Sequence, residues 1–174
     1  NRDLRYIDHS LGELLTQRVF QLAAGYEDCN DCNDLREEMI FKMCARRLPQ
    51  NDSDLASQPT MSRLENSVTK TDLFRLGKYL VDVFINSYSK APSVIILDCD
   101  DTNNDTYGQQ ELALFNNYYN EYCYMPLHIY EGLSGKLITT ILKPGRRNKQ
   151  ANIGRLLNKL VSYIRAQWPE TKII

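Results

Sequence analysis

The sequence contains no long hydrophobic run. No stretch approaches the roughly 18 consecutive apolar residues of a membrane-spanning helix, so we expect no membrane partner. The first residues, Asn1 to Leu4, lack an initiating methionine and lack the basic and apolar segments of a secretory signal. The last residues, Lys172 to Ile174, begin a strand pattern. We therefore expect this chain to be a piece of a longer protein.

Histidine is scarce, and the cysteines do not form an obvious set of pairs. The chain has five cysteines and two histidines, mostly far apart in sequence. This pattern is not that of a secreted disulfide framework, so a reduced, cytoplasmic environment is expected. Cys29 and Cys32 have the spacing of half a zinc site, but no second pair lies at a ligand spacing, which favours a structural role.

Neither sign of charge dominates. The net charge is −1, and a composition of 43% hydrophobic and 25% charged residues is typical of a globular protein. Many nucleic-acid-binding proteins are basic overall, so this balance argues mildly against one. Positive charge is local instead, at Arg63 and in a Gly-containing loop with Lys143, Arg146, Arg147 and Lys149. Ordinary solvated segments have the same composition, so these five residues are only candidates for phosphate contact.

Hydrophobic periodicity predicts an α/β (α+β) fold with a helical region at 1–90 and a mixed sheet at 91–174. A capping box of Ser10 and Glu13 is expected to start the first helix. Two glycines between the second and third strands predict a hairpin. The predicted helices are 9–24, 33–46, 60–67, 70–88 and 149–167, and the predicted strands are 94–99, 122–130, 136–142 and a last one from 172.

The apolar residues 94–97 lead directly into Asp98, Asp100 and Asp101. Because side chains alternate along a strand, Asp98 and Asp100 share one face and Asp101 points away. Carboxylates at the end of a buried strand are costly unless a cation offsets their desolvation, and Mg²⁺ prefers oxygen ligands. Alternatively, the three acids form a solvated strand end, where Asp100 bonds Thr102 or caps the next turn.

Seven segments spread over nearly the whole chain form a specific set. One is the strand end Leu97-Asp98-Cys99-Asp100, and another is the run of residues 107–111. The others are 9–20, 25–28, 55–66, 122–127 and 142–145. Together they resemble the DDE transposases of bacterial insertion sequences. The resemblance implies an RNase H-like core, which the predicted order of strands and helix fits.

The resemblance further implies DNA transposition, a form of DNA recombination, by metal-dependent strand cleavage and transfer. Enzymes of this family hold two metals, usually Mg²⁺ (or Mn²⁺), on an Asp, a second Asp and a Glu. Asp98 matches the first catalytic acid, and Asp100 is a second candidate metal ligand. The second Asp is expected beyond residue 174, so this part of the core is truncated before it, and we expect the chain to be inactive alone.

Partners also follow from the resemblance. Transposon-end DNA is the expected ligand, contacted by the five basic residues named above. The expected location is the bacterial cytoplasm, in association with the nucleoid. Whether the protein forms a homodimer on DNA stays open.

A rival hypothesis comes from a different class. The chain would be a non-enzymatic helical interaction module with a small structural sheet, and Asp98 would be merely structural. Separately, four tyrosines cluster near the second strand, and we expect most of them to pack against the sheet and one to be a candidate for stacking on an extruded base: Tyr118, Tyr119, Tyr122 and Tyr124.

Overall fold

A computed structural model describes residues 7–108, 110–146 and 153–174. The chain forms two compact units, Asn1–Thr69 and Lys70–Ile174. The helix predicted at 70–88 therefore groups with the C-terminal unit and not with the helical region predicted at 1–90. The domain limits 1–90 and 91–174 stay a prediction. Among the described helices, none has the length and apolar character needed to cross a bilayer.

The N-terminal unit is helical, as predicted. Its helices are α1 (Leu11–Ala23), α2 (Asp31–Leu35), α3 (Met39–Cys44) and α4 (Gln58–Asn66). The capping box is present, because Ser10 Oγ accepts from the Glu13 amide while the Glu13 carboxylate accepts from the Ser10 amide. The single helix predicted at 33–46 is wrong. The Arg36 carbonyl accepts from the Leu55 amide at 2.9 Å, and this long-range bond lies in the break between α2 and α3.

Buried polar side chains hold the N-terminal unit together. Gln17 on α1 bonds both backbone groups of Ala56, each at 2.9 Å, and thereby fixes the segment before α4. Arg47 is 9% exposed and donates to the Glu13 carboxylate at 3.0 Å, to Ser53, and to the Asp54 carbonyl at 2.6 Å. These polar contacts add to two small apolar clusters, Leu14, Cys32, Ala56 and Met61 in one and Leu35, Phe41, Ala45 and Leu55 in the other.

The C-terminal unit mixes helices and short strands, which confirms the predicted fold class. The helices are α5 (Lys70–Asn86) and α6 (Ile153–Gln167), and the strands are β1 (Val94–Ile95), β2 (Leu97–Asp101), β3 (Asn104–Asp105), β4 (Leu114–Asn116), β5 (Glu121–Tyr124), β6 (Leu127–Glu131), β7 (Lys136–Ile141) and β8 (Lys172–Ile173). The predicted start of the last long helix at 149–152 lies outside the described residues.

Two adjoining sheets, β1-β8 and β2-β6-β7, together form what we call the main sheet, which contains parallel and antiparallel pairs. β2 pairs with β6 and β6 with β7, both antiparallel, while β1 pairs with β8 in parallel. Only Ile96 separates β1 from β2. The segment 94–101 is therefore paired with β8 over its first two residues and with β6 over its last five. Two hydrogen bonds join the two sheets at Ile96. The Leu97 amide donates to the Ile174 carbonyl, and the Gly132 amide donates to the Ile96 carbonyl. β6 and β7 form the hairpin that the two glycines predict.

A second, three-stranded sheet has the order β3-β5-β4 and is inserted in the chain between β2 and β6. The single strand predicted at 122–130 is wrong, because Pro126 divides it. Proline has no amide hydrogen and cannot continue a ladder. Consequently β5 belongs to the small sheet and β6 to the main sheet.

Helices cover one face of the main sheet. Side chains from α5, α6 and the strands interlock there, around Trp168 and Phe84, whose rings meet edge to face at 5.7 Å. Apolar burial of this kind is the main stabilising contribution. The buried members are Val81, Phe84, Ile95, Leu127, Ile129, Ile138, Leu160, Ile164 and Trp168.

Candidate functional site

The acidic strand β2 directs two carboxylates away from the helices. Leu97 packs against the helix-covered core, so the alternation of a strand sends Asp98 and Asp100 to the opposite face. Both side chains are exposed. We call this the open face of the main sheet, defined by Asp98, Asp100, His128, Tyr130 and Thr140. The predicted shared face of the two acids is therefore present.

Two cross-strand rows run over the open face. In one row, Asp100 on β2 lies opposite His128 on β6, which lies opposite Thr140 on β7. His128 Nδ1 and Thr140 Oγ1 are 2.9 Å apart, which fixes the imidazole orientation. In the other row, Asp98 lies opposite Tyr130. The position of His128 beside the acids could not be predicted from local patterns, because strand register is a tertiary property.

The other two polar residues of β2 have different surroundings. Asp101 forms an ion pair with Lys143, with Oδ1 and Nζ 2.5 Å apart. Burial raises the pKa of the Cys99 thiol, and the Asp98 and Asp101 carboxylates raise it further. The raised pKa makes the thiolate, the reactive form of Cys99, less accessible than in an ordinary cysteine.

The described residues offer fewer side-chain ligands than a complete metal site needs. In the ranges that the structure describes, no three His, Cys, Asp or Glu side chains come together as a possible metal site. Asp98 and Asp100 offer oxygen ligands of the type that Mg²⁺ prefers, but they are only two residues of a six-ligand shell. These two residues alone could supply only part of a metal site, and a metal held there would need further ligands.

The basic residues proposed for DNA contact are not gathered in one place. Lys143 is engaged with Asp101, and its side chain is only 17% exposed. Arg63, on α4 of the N-terminal unit, is exposed and donates to Thr60 Oγ1 at 3.0 Å. Arg146 is exposed. Arg147 and Lys149 lie outside the described residues.

A buried carboxylate beside the acidic strand was missed by sequence reasoning. Glu131 is 2% exposed and accepts from the amides of Ile96 at 3.2 Å, Leu133 at 3.1 Å and Ser134 at 2.7 Å. Burial alone would raise the pKa of Glu131, but hydrogen bonds from Ser134, Leu133 and Ile96 outweigh it and lower this pKa to about 2. The position of Glu131 before the hairpin glycines was the available signal. It stabilises the junction between β1 and β2 and is not exposed to a ligand.

The tyrosine cluster does not pack as expected. Tyr118 is 86% exposed and Tyr122 is 59% exposed, so their rings are largely outside any core. Tyr124 is partly buried and its hydroxyl donates to the Glu111 carbonyl. The expectation that most of these rings pack against the sheet is therefore wrong for Tyr118 and Tyr122.

The C-terminal unit is an α/β domain with an acid-bearing strand in its main sheet. Comparison of the sequence with models of known families identifies the family to which the chain belongs. The model of the family described as "Transposase DDE domain group 1" matches residues 1–174, so the chain belongs to this family. No curated protein and no solved structure matches the chain. The family assigns the chain a general role in transposition.

Proposed function

We propose that the protein moves DNA by metal-dependent cleavage and transfer of phosphodiester strands, and that Asp98 is the first of its three catalytic carboxylates. The observation that carries this proposal is the family match over the whole chain, which includes the acid-bearing strand β2. Transposon-end DNA of an insertion sequence is the proposed substrate.

The fold supports an RNase H-like core. Two strands follow β2 in antiparallel order, α6 comes next, and β8 returns parallel to β1. This is the strand-helix order that the resemblance implies. Asp98 lies two residues beyond Ile96, the point at which pairing with β8 ends and pairing with β6 begins. Its side chain is exposed on the open face. The metal-dependent cleavage proposed here needs such an accessible carboxylate to hold a metal beside the phosphodiester.

Each residue of the open face has a distinct proposed role. Asp98 is the principal metal ligand, and Asp100 is a second, subordinate one. When bound, Mg²⁺ or Mn²⁺ supplies activation of the attacking water or 3′-hydroxyl and neutralises charge on the leaving oxygen. Asp101 has no part in the proposed site, because it points to the other face and pairs with Lys143.

DNA contacts are proposed at the basic residues. Arg63 and Arg146 are exposed, and Arg147 and Lys149, which follow Arg146 in sequence, belong to the same proposal. Lys143 reaches DNA only if its ion pair with Asp101 opens. The same proposal places the protein in the bacterial cytoplasm at the nucleoid. There it acts on transposon ends as a homodimer.

Titration with Mn²⁺ tests the role of Asp98. We expect the chain to bind Mn²⁺ at about 1 mM or weaker, because two carboxylates are a poor cage. Asp98→Asn should weaken binding at least several-fold, measured by the electron paramagnetic resonance signal of free Mn²⁺. Asp105→Asn, a change at an exposed aspartate on β3, is the control and should leave affinity unchanged. Equal affinity of Asp98→Asn and the unmodified chain would remove Asp98 from the site and favour the non-enzymatic alternative.

Cleavage assays test the catalytic part of the proposal. With one of the three required acids, the chain alone should not cut an end-labelled DNA duplex in Mg²⁺ or Mn²⁺. The complete transposase that carries this chain should cut it, and Asp98→Asn should abolish cutting while end binding persists. Cutting by Asp98→Asn at the unmodified rate would contradict the assignment.

A further inference from the structure

A two-stranded ribbon in the small sheet carries an unusual set of exposed rings. We call it the aromatic hairpin and define it as β4, β5 and the turn between them. On one face of the ribbon, Phe115 lies opposite Tyr122, and their rings meet edge to face at 5.4 Å. In the turn, Tyr118 and Tyr119 form a second edge-to-face pair at 4.8 Å. The exposed fractions are 38% for Phe115, 59% for Tyr122, 86% for Tyr118 and 40% for Tyr119.

Hydrogen bonds fix the shape of the turn. Asn116 Oδ1 accepts from the amides of Tyr118 at 2.9 Å and Tyr119 at 3.4 Å. Asn120, at φ 59°, adopts the left-handed conformation that asparagine tolerates and donates to the Asn116 carbonyl at 2.8 Å. The Asn116 side chain also donates to the Gly145 carbonyl at 2.8 Å. The backbone that carries the rings is thus ordered before binding, so little backbone entropy is lost when a ligand stacks on them.

The charges around the aromatic hairpin suit a ligand that has uncharged rings attached to an anionic backbone. Residues 112–120 contain no charged side chain and include three asparagines. The exposed Arg146 follows Gly145, which is bonded to the hairpin. The carboxylate of Glu121, at the start of β5, accepts from Asn103 and is partly buried. Uncharged rings and amides match nucleobases, and the neighbouring cation matches a phosphate.

We propose that the aromatic hairpin binds unpaired bases of DNA, which stack on Tyr118 and Tyr122 while Arg146 contacts an adjacent phosphate. Bases inside a duplex have their faces covered, so this surface favours single strands. The inference deepens the proposed function and rests on it, because it takes DNA as the substrate. It assigns to the aromatic hairpin a role separate from that of the open face.

Fluorescence anisotropy with the full 174-residue chain tests the inference. The probes are a labelled 20-nucleotide single strand and the duplex of the same sequence, both at low salt. We expect tighter binding to the single strand. Tyr118→Leu and Tyr122→Leu should each weaken single-strand binding about five-fold or more, because a base stacked on an aromatic ring contributes roughly 1–3 kcal/mol. Duplex binding should change less than two-fold.

Matched variants separate ring stacking from other effects. Tyr118→Phe keeps the ring and should bind like the unmodified chain. Tyr79→Leu removes a tyrosine that is 62% exposed on α5, outside the aromatic hairpin, and should also leave binding unchanged. Unaltered Trp168 fluorescence and melting would exclude misfolding of the variants.

Three results would overturn the inference. These are equal affinity for single strand and duplex, unchanged binding by both leucine variants, and absence of single-strand binding by the unmodified chain. Self-association that the same variants abolish, without DNA binding, would instead identify a protein interface. Each of these outcomes leaves the Asp98 proposal standing, because Mn²⁺ binding and cleavage test that proposal separately.

Discussion

Glu131 illustrates how one buried side chain supports the strand that carries the candidate site. Its carboxylate accepts three backbone amide hydrogens, and one of them belongs to Ile96 at the junction of β1 and β2. Without these bonds the carboxylate would be a costly buried charge. The ionised form is therefore part of the folded structure.

Acidification should destabilise the C-terminal unit through Glu131. The pKa of this carboxyl falls from 4.5 in its ordinary state to about 2 in the folded state. Its contribution is then complete above about pH 5 and is lost as the pH falls from 4.5 towards 2. At neutral pH the contribution is on the order of 3 kcal/mol. Glu131→Gln should remove it and flatten the dependence of unfolding free energy on pH.

Trp168 provides the measurement for Glu131. It is the only tryptophan, is buried, and lies in the C-terminal unit, so its fluorescence during urea unfolding reports on that unit. Glu111→Gln, at an exposed glutamate, should leave the urea midpoint unchanged at pH 7. Equal midpoints for Glu131→Gln and Glu111→Gln would refute the role given to Glu131.

Arg47 should be similarly important in the N-terminal unit. Arg47→Ala leaves the Glu13 carboxylate and the Asp54 carbonyl without their buried partner, so we expect a loss of about 2–4 kcal/mol. Burial and the Arg47 charge also lower the pKa of His9, so the substitution should raise that pKa towards 6.5. Circular dichroism during urea unfolding and NMR titration of the His9 ring measure the two effects. Arg63→Ala, which removes an exposed arginine, should change neither.

At the scale of single elements, the N-terminus of α1 agrees between sequence and structure. Ser10→Ala should destabilise α1 by about 1 kcal/mol, because the Glu13 amide loses its side-chain acceptor. Ser10→Asp should preserve most of the stability, since aspartate is also a good N-cap. Thermal melting followed at 222 nm would measure both, and a Ser10→Ala melting temperature equal to that of Ser10→Asp would contradict the capping role.

The loop after β7 depends on a glycine. A Cβ at Gly145 would clash with the carbonyl oxygens of Cys123 and Leu114, because it would lie far closer to these backbone atoms than van der Waals contact allows. Gly145→Ala should therefore cost about 1–3 kcal/mol and expose the β4 and β5 amides to hydrogen exchange. Gly132→Ala is the control, because its Cβ would meet Ile96 at an ordinary 3.5 Å. Unchanged exchange in Gly145→Ala would show that the loop can shift freely.

Elements with strong periodicity were predictable, and those set by distant partners were not. α1, α5 and most of α6 follow their apolar spacing. The break between α2 and α3 depends on the hydrogen bond that the Leu55 amide donates to the Arg36 carbonyl. Leu55 lies nineteen residues further along the chain, so no local pattern reveals this bond. β3 and β4 have two and three residues and are specified by pairing with β5. Likewise, strand alternation predicted that Asp98 and Asp100 share a face, but not that His128 lies opposite Asp100.

At the scale of the whole molecule, apolar side chains remain exposed in a defined stripe. Four residues of α1 at spacings of four, four and three lie on one side of the helix. They are Leu11, Leu15, Val19 and Leu22, with exposed fractions of 58%, 50%, 60% and 47%. Contiguous exposed apolar surface of this kind promotes association.

We expect the isolated chain to self-associate through this stripe and to be poorly soluble. The double variant Leu15→Glu and Val19→Lys breaks the stripe and places an acid and a base one helical turn apart, which favours the helix. It should raise the soluble concentration several-fold with unchanged helical content, as measured by light scattering and circular dichroism. The control is Asn158→Glu with Ser162→Lys, which adds the same charges at the same spacing on exposed positions of α6. A monodisperse unmodified chain would contradict the predicted self-association. Equal improvement by the control would show that general surface charge, and not the α1 stripe, governs association.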